Sequence, residues 1–523
     1  MHFVKHGKRG LSMLLSLALL FAMAVAAAPV YADDQSGGAA ASYSVEQINE
    51  YSKYFSNHVD GYRLMVQNDM EVDMSASAVR TVLRDRDYTI EVYRQPLANT
   101  TFIGYAGYSN SRIHNSVEYN VTPVRDMVLA GYRAVVLEWS RPALPNVEND
   151  KCYYAAVDLD IGGKEALSFQ FKSTMPFDQF GSKYYILVLN TLTRIPRTAP
   201  ATVIPTATMA NPHWNEETRQ FYRDYFSPDS PLRWGIYKNE AMRDAWNDLA
   251  AVEEQLDFEF PVVLDYCWSL DALSKVLANA AARGRTLELT LQPPIDPPAD
   301  GTNFVLNVLR GQHDDFLNAY AAQVAQFGKP ILLRLCNEMN GDWVSYNALN
   351  TCRDAEMYVL FYRYVYQIFE RNGALQNTIW VWNPNEGSYP NFGWNHTLCY
   401  YPGDQYVDVV GLTGYNTGTY YYNVGERWKS FHQIYDKLYA DYCAWFTQPM
   451  MITEFSCSSI GGDKLAWVRE MLSDIGDMSR IKVAVWWDGY DLDAQGRLAR
   501  AYYINDVAGL TELFRDYFAV HKQ

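Results

Sequence analysis

The chain of 523 residues is 49% hydrophobic and 20% charged and carries only 7 Cys, which excludes a disordered segment, a collagen and a disulfide-stapled miniprotein. Its 44 basic and 60 acidic residues leave a formal net charge of −16, a balance that repels phosphate backbones and anionic membrane surfaces, so no nucleic acid is expected as a partner. The 40 Tyr and 14 Trp exceed the ordinary needs of a core and suit a surface on which flat, uncharged rings stack.

Residues 1–32 read as a signal peptide. Lys5, Lys8 and Arg9 form a basic start, residues 11–28 an apolar stretch, and Val30-Tyr31-Ala32 a small-x-small cleavage site. The expected consequence is secretion of a bacterial type, with no transmembrane segment after cleavage; an uncleaved anchor is the other reading of so long an apolar stretch. Residues 33–42, rich in Gly, Ala and Ser, form a flexible spacer. Residues 43–193 predict an N-terminal β-rich, sandwich-like domain. A helical segment over 45–65 is followed by short strand-like runs at 88–93, 101–108, 117–121, 134–139, 153–161, 167–171 and 184–189. Residues 194–212, with Pro196, Pro200, Pro205 and Pro212, predict a linker.

From 213 to 523 strand-like and helix-like stretches alternate. Strands are expected at 233–237, 260–266, 286–291, 330–335, 378–382, 407–414, 450–455 and 481–487, and helices at 240–256, 269–282, 314–327, 355–372, 426–445, 463–475 and 508–518. Eight such units over this length predict a parallel (β/α)8 TIM barrel. The absence of a Gly-rich turn after any strand disfavours a nucleotide-binding doubly wound sheet. The cysteines show neither CxxC spacing nor clustering and are expected to be mostly buried small apolar residues. There is no HExxH, and neither a metal nor another cofactor is expected.

In a barrel the chemistry gathers where the strands run out into loops. Glu338 ends the fourth expected strand and Glu454 the seventh, each interrupting an apolar run where an unpaired carboxylate would cost several kcal/mol. Strands four and seven face each other across a ring of eight, and two carboxyls about 5–5.5 Å apart are what a retaining glycosidase uses. Five indoles fall at or just past strand ends, Trp268, Trp343, Trp382, Trp486 and Trp487, and are candidate stacking platforms for sugar rings. Asn337 and Asn340 can donate to sugar hydroxyls, and Tyr415 and Arg334 are candidate donors around Glu454. Asp488 and Asp491 are candidate substrate contacts or simply solvated loop acids.

Several runs carry a family resemblance. They are Gly311-Gln-His-Asp-Asp315, Gly328-Lys-Pro-Ile-Leu-Leu-Arg334, Glu338-Met-Asn-Gly-Asp-Trp343, Trp380-Val-Trp-Asn-Pro384, Val407-Asp-Val-Val-Gly-Leu-Thr-Gly-Tyr415 and Ile452-Thr-Glu-Phe455. In this order they resemble glycoside hydrolase family 26, the β-mannanase family with some β-glucanases and xylanases, within clan A of retaining (β/α)8 glycosidases. The resemblance implies Glu338 as general acid/base, Glu454 as nucleophile, and a polysaccharide as partner. Most of the family's mannanases carry His before the acid/base, where this chain has Asn337, and Gln292-Pro-Pro follows the third strand instead of a His-containing run. The expected substrate is therefore a β-linked glycan: mannan-like, a β-glucan or a bacterial exopolysaccharide. The alternative is a non-hydrolytic glycan-binding protein of the cell envelope built on the same barrel.

Overall fold

The computed structural model describes residues 41–178, 182–293 and 298–521; the expected signal peptide and most of the spacer lie outside them. The chain divides into two compact units. One runs to Ile204 and includes Ala299–Asn303 and Phe392–Leu398, and the other holds Pro205–Pro298, Phe304–Asn391 and Cys399 onward. Among the described residues no helix is long and apolar enough to cross a membrane.

The first unit is a pair of antiparallel sheets around one core. Strands Tyr43–Gln47, Ser52–Asn57, Tyr62–Gln67 and the short Thr193–Arg194 make the smaller sheet. The larger is centred on Tyr88–Pro96, Glu165–Ser173, Tyr153–Gly162 and Tyr132–Ser140, neighbours in that order. Phe55 and Leu64 of the first sheet meet Ile90, Val136, Val157, Phe169 and Phe171 of the second in a single cluster.

Three expected elements in this unit differ. Residues 45–65 are strands and turns, not a helix: Asn57 accepts the N–H groups of Val59 and Asp60 to turn the chain, and Phe55, Tyr62 and Leu64 alternate into the core. Residues 101–108 and 184–189, expected as strands, lie in helices Phe102–Asn110 and Tyr184–Leu189. Thr101 caps the first by accepting from the Gly104 N–H, and a six-residue apolar run has no periodicity that separates strand from helix.

The second unit contains the barrel. Strands β1 (Arg233–Lys238), β2 (Val262–Tyr266), β3 (Thr286–Leu291), β4 (Ile331–Leu335), β5 (Thr378–Trp382), β6 (Val409–Asn416), β7 (Met450–Cys457) and β8 (Ile481–Asp488) pair in sequence and close, β8 against β1, in parallel register. This is the (β/α)8 architecture that the alternation predicts. The helices begin and end on sequence signals. Ser269 caps Leu270–Arg283 and Gly284 ends it in the left-handed region, while Ser430 and Gln433 form a reciprocal capping box on Phe431–Trp445. The interval after β5 holds only 3-10 turns, in keeping with its irregular pattern.

Alternation along the strands sets two interior layers. The lower one is apolar: Val262, Leu264, Leu332, Ile379, Val381, Val409, Met451, Val483 and Val485 pack together with Trp214 and Phe226, and Trp214 donates to the Thr378 carbonyl at the start of β5. Each such aliphatic burial contributes about 1.5–3 kcal/mol. The upper layer is polar: Glu288, Thr290, Arg334, Asn383, Thr413 and Thr453 are all fully buried. Gly411 lies among them because a Cβ there would sit 2.7 Å from Thr453 and 2.8 Å from Asn383. The barrel thus has a hydrophobic floor and a hydrogen-bonded ceiling on which the mouth is built.

Candidate active site at the barrel mouth

Two backbone irregularities aim the carboxyls. Past β4 the chain leaves extended geometry: Cys336 and Glu338 have φ of 48° and 56°, a left-handed conformation that non-glycine residues adopt at a cost of about 1–3 kcal/mol. The Glu338 N–H donates to Asn383 and its carbonyl accepts from Gly341, which holds the strained turn. On β7 the pairing with both neighbours slips by one residue between Ile452 and Phe455. That bulge lets Thr453 and Glu454 both serve the interior, whereas strict alternation would turn one of them out.

Glu338 accepts from Asn385 at 2.6 Å and from the Trp343 indole at 3.1 Å. Burial and then the nearby charge of Glu454 push its carboxyl up to about 7, against the pull of Asn385, Trp343 and Arg334. Glu454 is 4% exposed and surrounded by donors: the Tyr266 hydroxyl, Asn337 Nδ2 at 3.2 Å and the Arg334 guanidinium at 3.3 Å. Glu338 is therefore set to carry a proton near neutrality, while three donors converge on Glu454. The donors around both leave a setting for protons and negative charge rather than for a cation.

The sequence candidates distribute unevenly. Glu338, Glu454, Asn337, Arg334 and Trp343 converge as described. Tyr415 and Trp487 form the adjoining wall, ring centroids 6.2 Å apart, and Trp487 stacks on Tyr237 at 5.0 Å with planes 13° apart. The phenol that donates to Glu454 is Tyr266, from β2, while Tyr415 packs on Trp487 and Tyr502. Trp343 is 40% exposed and lies 5.4 Å from the exposed ring of Tyr389, so it offers a face to a ligand.

Trp382 and Trp486 offer none. Both are fully buried, Trp382 against Tyr401 and Phe446, Trp486 against Phe455 and Phe514, because each follows an inward residue, Val381 or Val485, and so points outward. Trp268 packs on Phe304 and Phe316 as part of a helix-facing cluster. Asn340 is fully buried and uses its amide on the loop after β5, donating to the carbonyls of Asn385 and Gly387 and accepting from the Asn385 N–H. It positions Asn385 rather than reaching the opening. Asp488 is buried and ion-paired with Lys238 at 2.6 Å, and Asp491 pairs with Arg500 at 2.9 Å.

Three residues of the site were not singled out from the sequence: Tyr266, Asn383 and Asn385. For Tyr266 the period of two along β2 was an available signal, since Val262, Leu264 and Tyr266 share one face. Asn383 and Asn385 come from a loop whose path no local pattern encodes.

Comparison with known proteins finds a family match over most of the barrel. Residues 235–450 match the family model described as Glycosyl hydrolase family 26; the match includes Glu338 and ends four residues before Glu454. Over 188 residues the chain is 35% identical to Endoglucanase H of Acetivibrio thermocellus, covering 35% of this chain and 20% of that protein. Over 94 residues it is 36% identical to the mannan endo-1,4-beta-mannosidase A and B of Caldalkalibacillus mannanilyticus, 17% of each. A modular endo-beta-1,4-mannanase from Cellulomonas fimi aligns in structure with a TM-score of 0.44 and 18% identity, over 60% of this chain and 76% of that one. The chain spans a fifth or less of the length of these two curated relatives.

Proposed function

We propose that this chain, whose barrel belongs to glycosyl hydrolase family 26, hydrolyses a β-linked polysaccharide of the mannan or glucan type with retention at the anomeric carbon. The observation that carries the reading is the division of labour between two facing carboxyls. Glu338 is pushed up to about 7 by burial and by Glu454, while Glu454 is held among Tyr266, Asn337 and Arg334.

The chemistry follows from that division. A Glu454 oxygen attacks the anomeric carbon as the bond to the leaving oxygen breaks, and Glu338 gives that oxygen its proton. The products of this step are a glycosyl ester on Glu454, a shortened glycan bearing a hydroxyl, and ionised Glu338. Burial and the charge of Glu454 had together kept the proton on Glu338; esterification removes that charge, so Glu338 now stays ionised and is free to act as the base. It takes a proton from water, the water oxygen bonds to the anomeric carbon, and the Glu454 carboxylate returns to its donors. Asn337, whose Oδ1 has no hydrogen-bond partner among the described residues, is placed to accept a sugar hydroxyl, and Trp343 with Tyr389 to stack on a ring beside Glu338. The curated relatives' names support endo-action on mannan or glucan. Residues 1–32 support export, where a polymeric substrate is met.

A panel of β-mannan, β-1,4- and β-1,3-glucans, xylan and bacterial exopolysaccharides, assayed for new reducing ends, tests the activity. Proton NMR of the first product is expected to show the β-anomer. An α-anomer appearing first, or binding with no reducing ends released from any polymer, would overturn the reading. The pH profile gives a second check. Because Glu338 must be protonated in the free enzyme and is pushed up to about 7, kcat/KM is expected to fall as pH rises through about 7. With an activated aryl glycoside, which needs no proton on its leaving group, Glu338→Gln is expected to erase that alkaline limb; a limb that persists unchanged would assign it to another group.

A further inference from the structure

Beneath the two mouth carboxyls lies a third that this mechanism leaves unused. Glu288, on β3, is fully buried, and neither of its carboxyl oxygens has a hydrogen-bond partner among the described residues. Its register partners are Leu264 on β2 and Leu332 on β4, both part of the apolar cluster. Oε1 of Glu288 lies 3.3 Å from Nε of Arg334, yet that N–H donates to Thr290 at 2.8 Å, and Nη1 donates to Asn383 at 3.0 Å. The same guanidinium lies 3.3 Å from Glu454.

Among the described residues one cation, Arg334, thus serves these two buried carboxyls. Were both ionised, a net negative charge would be left in the closed barrel at a cost of several kcal/mol. One of them must carry a proton, and the donors decide which. Glu454 has the Tyr266 hydroxyl, Asn337 and Arg334; Glu288 has only the flank of Arg334, whose Nε and Nη1 hydrogen bonds go elsewhere. The charged and titratable groups facing Glu288 are Arg334 from β4 and Glu454 from β7, with Tyr266 of β2 turned to Glu454. Burial pushes Glu288 up to about 8, with Arg334 opposing and Glu454 reinforcing the shift.

We propose that Glu288 is a positioning residue held as the uncharged acid, bracing Arg334 from below without competing for its charge, so that this charge is committed to Glu454. The inference rests on the reading of Glu454 as the nucleophile, and its test separates the two. Infrared difference spectra, taken in Glu338→Gln protein so that Glu338 does not contribute, compare Glu288 with Glu288→Gln. A protonated-carboxyl carbonyl band is expected for Glu288 at about pH 6 that fades as pH rises through about 8. Should the Gln variant not fold, the same titration of Glu338→Gln protein labelled with 13C-glutamate reads out the band directly.

Stability gives a consistent sign. A buried acid whose folded value is raised contributes stability that is fully present below the unfolded glutamate range near 4.3 and is lost as pH rises through about 8. The decline in melting temperature across that window is expected to flatten in Glu288→Gln. With Glu338 intact, kcat/KM of Glu288→Gln at about pH 6 is expected to stay within about two-fold of wild type, because Gln is the neutral isostere. A missing carbonyl band, or a tenfold or greater loss at that pH, overturns the proposal. A band present in a protein that hydrolyses no polymer supports the state assigned to Glu288 and refutes the proposed function.

Discussion

Glu454→Ala is expected to lower kcat by roughly 10^4-fold or more, the scale on which a covalent nucleophile's removal is felt. The loss belongs to the transition state, because without Glu454 nothing at the mouth can bond to the anomeric carbon. The fold is expected to survive. Arg334, deprived of one carboxyl, still lies 3.3 Å from Glu288, which is then free to ionise and compensate it. Two measurements check the assignment. Circular dichroism melting is expected to show a cooperative transition near that of the wild type. Added azide is expected to restore turnover of an activated aryl glycoside and to yield the α-glycosyl azide, since the small anion attacks from the face that Glu454 occupied. Wild-type turnover in the variant would remove Glu454 from the mechanism.

Arg334→Met is expected to act on stability and on rate together. Arg334 is fully buried, donates to Thr290 and Asn383, and lies 3.3 Å from both Glu288 and Glu454. Its loss leaves the Glu454 carboxylate buried without a cation, and removing one partner of such a buried pair typically costs about 3–5 kcal/mol. Urea unfolding is expected to show a loss on that scale at neutral pH. The loss is expected to shrink under acid conditions, where the orphaned carboxyl is protonated. Activity is expected to fall by about 10^2–10^3-fold, as for other lost charge-stabilising donors. A variant as stable and as active as wild type would show that Glu454 is held by Tyr266 and Asn337 alone.

The barrel was legible in the sequence because its signals are local. Apolar runs of five to eight residues alternating with capped amphipathic helices specify parallel strands and their order, and each of the eight strands falls where the pattern places it. In the β-rich unit the same reasoning misassigned 45–65, 101–108 and 184–189, where short runs lack a period and the sheet partner decides the conformation. The indoles show the difference at single-residue scale. Trp486 and Trp487 are adjacent in sequence and both close a strand, yet one is sealed outside the barrel and the other lines its mouth. Counting aromatic residues at strand ends cannot separate them; tracking which face Val485 occupies can.

What the sequence by itself determined is the barrel, the two glutamates at the ends of β4 and β7, and the acidic, aromatic-rich character that suits a neutral glycan better than a nucleic acid. Only the tertiary structure decided how those glutamates differ. The left-handed turn at Glu338 and the bulge at Thr453–Glu454 aim them, and Asn385, Tyr266 and Arg334 arrive from strands and loops far apart in the chain. The physical reason is that a carboxyl's proton affinity is set by burial, by nearby charge and by which donors reach it. All three are properties of the closed barrel, and none is a property of the residue or of its neighbours in sequence.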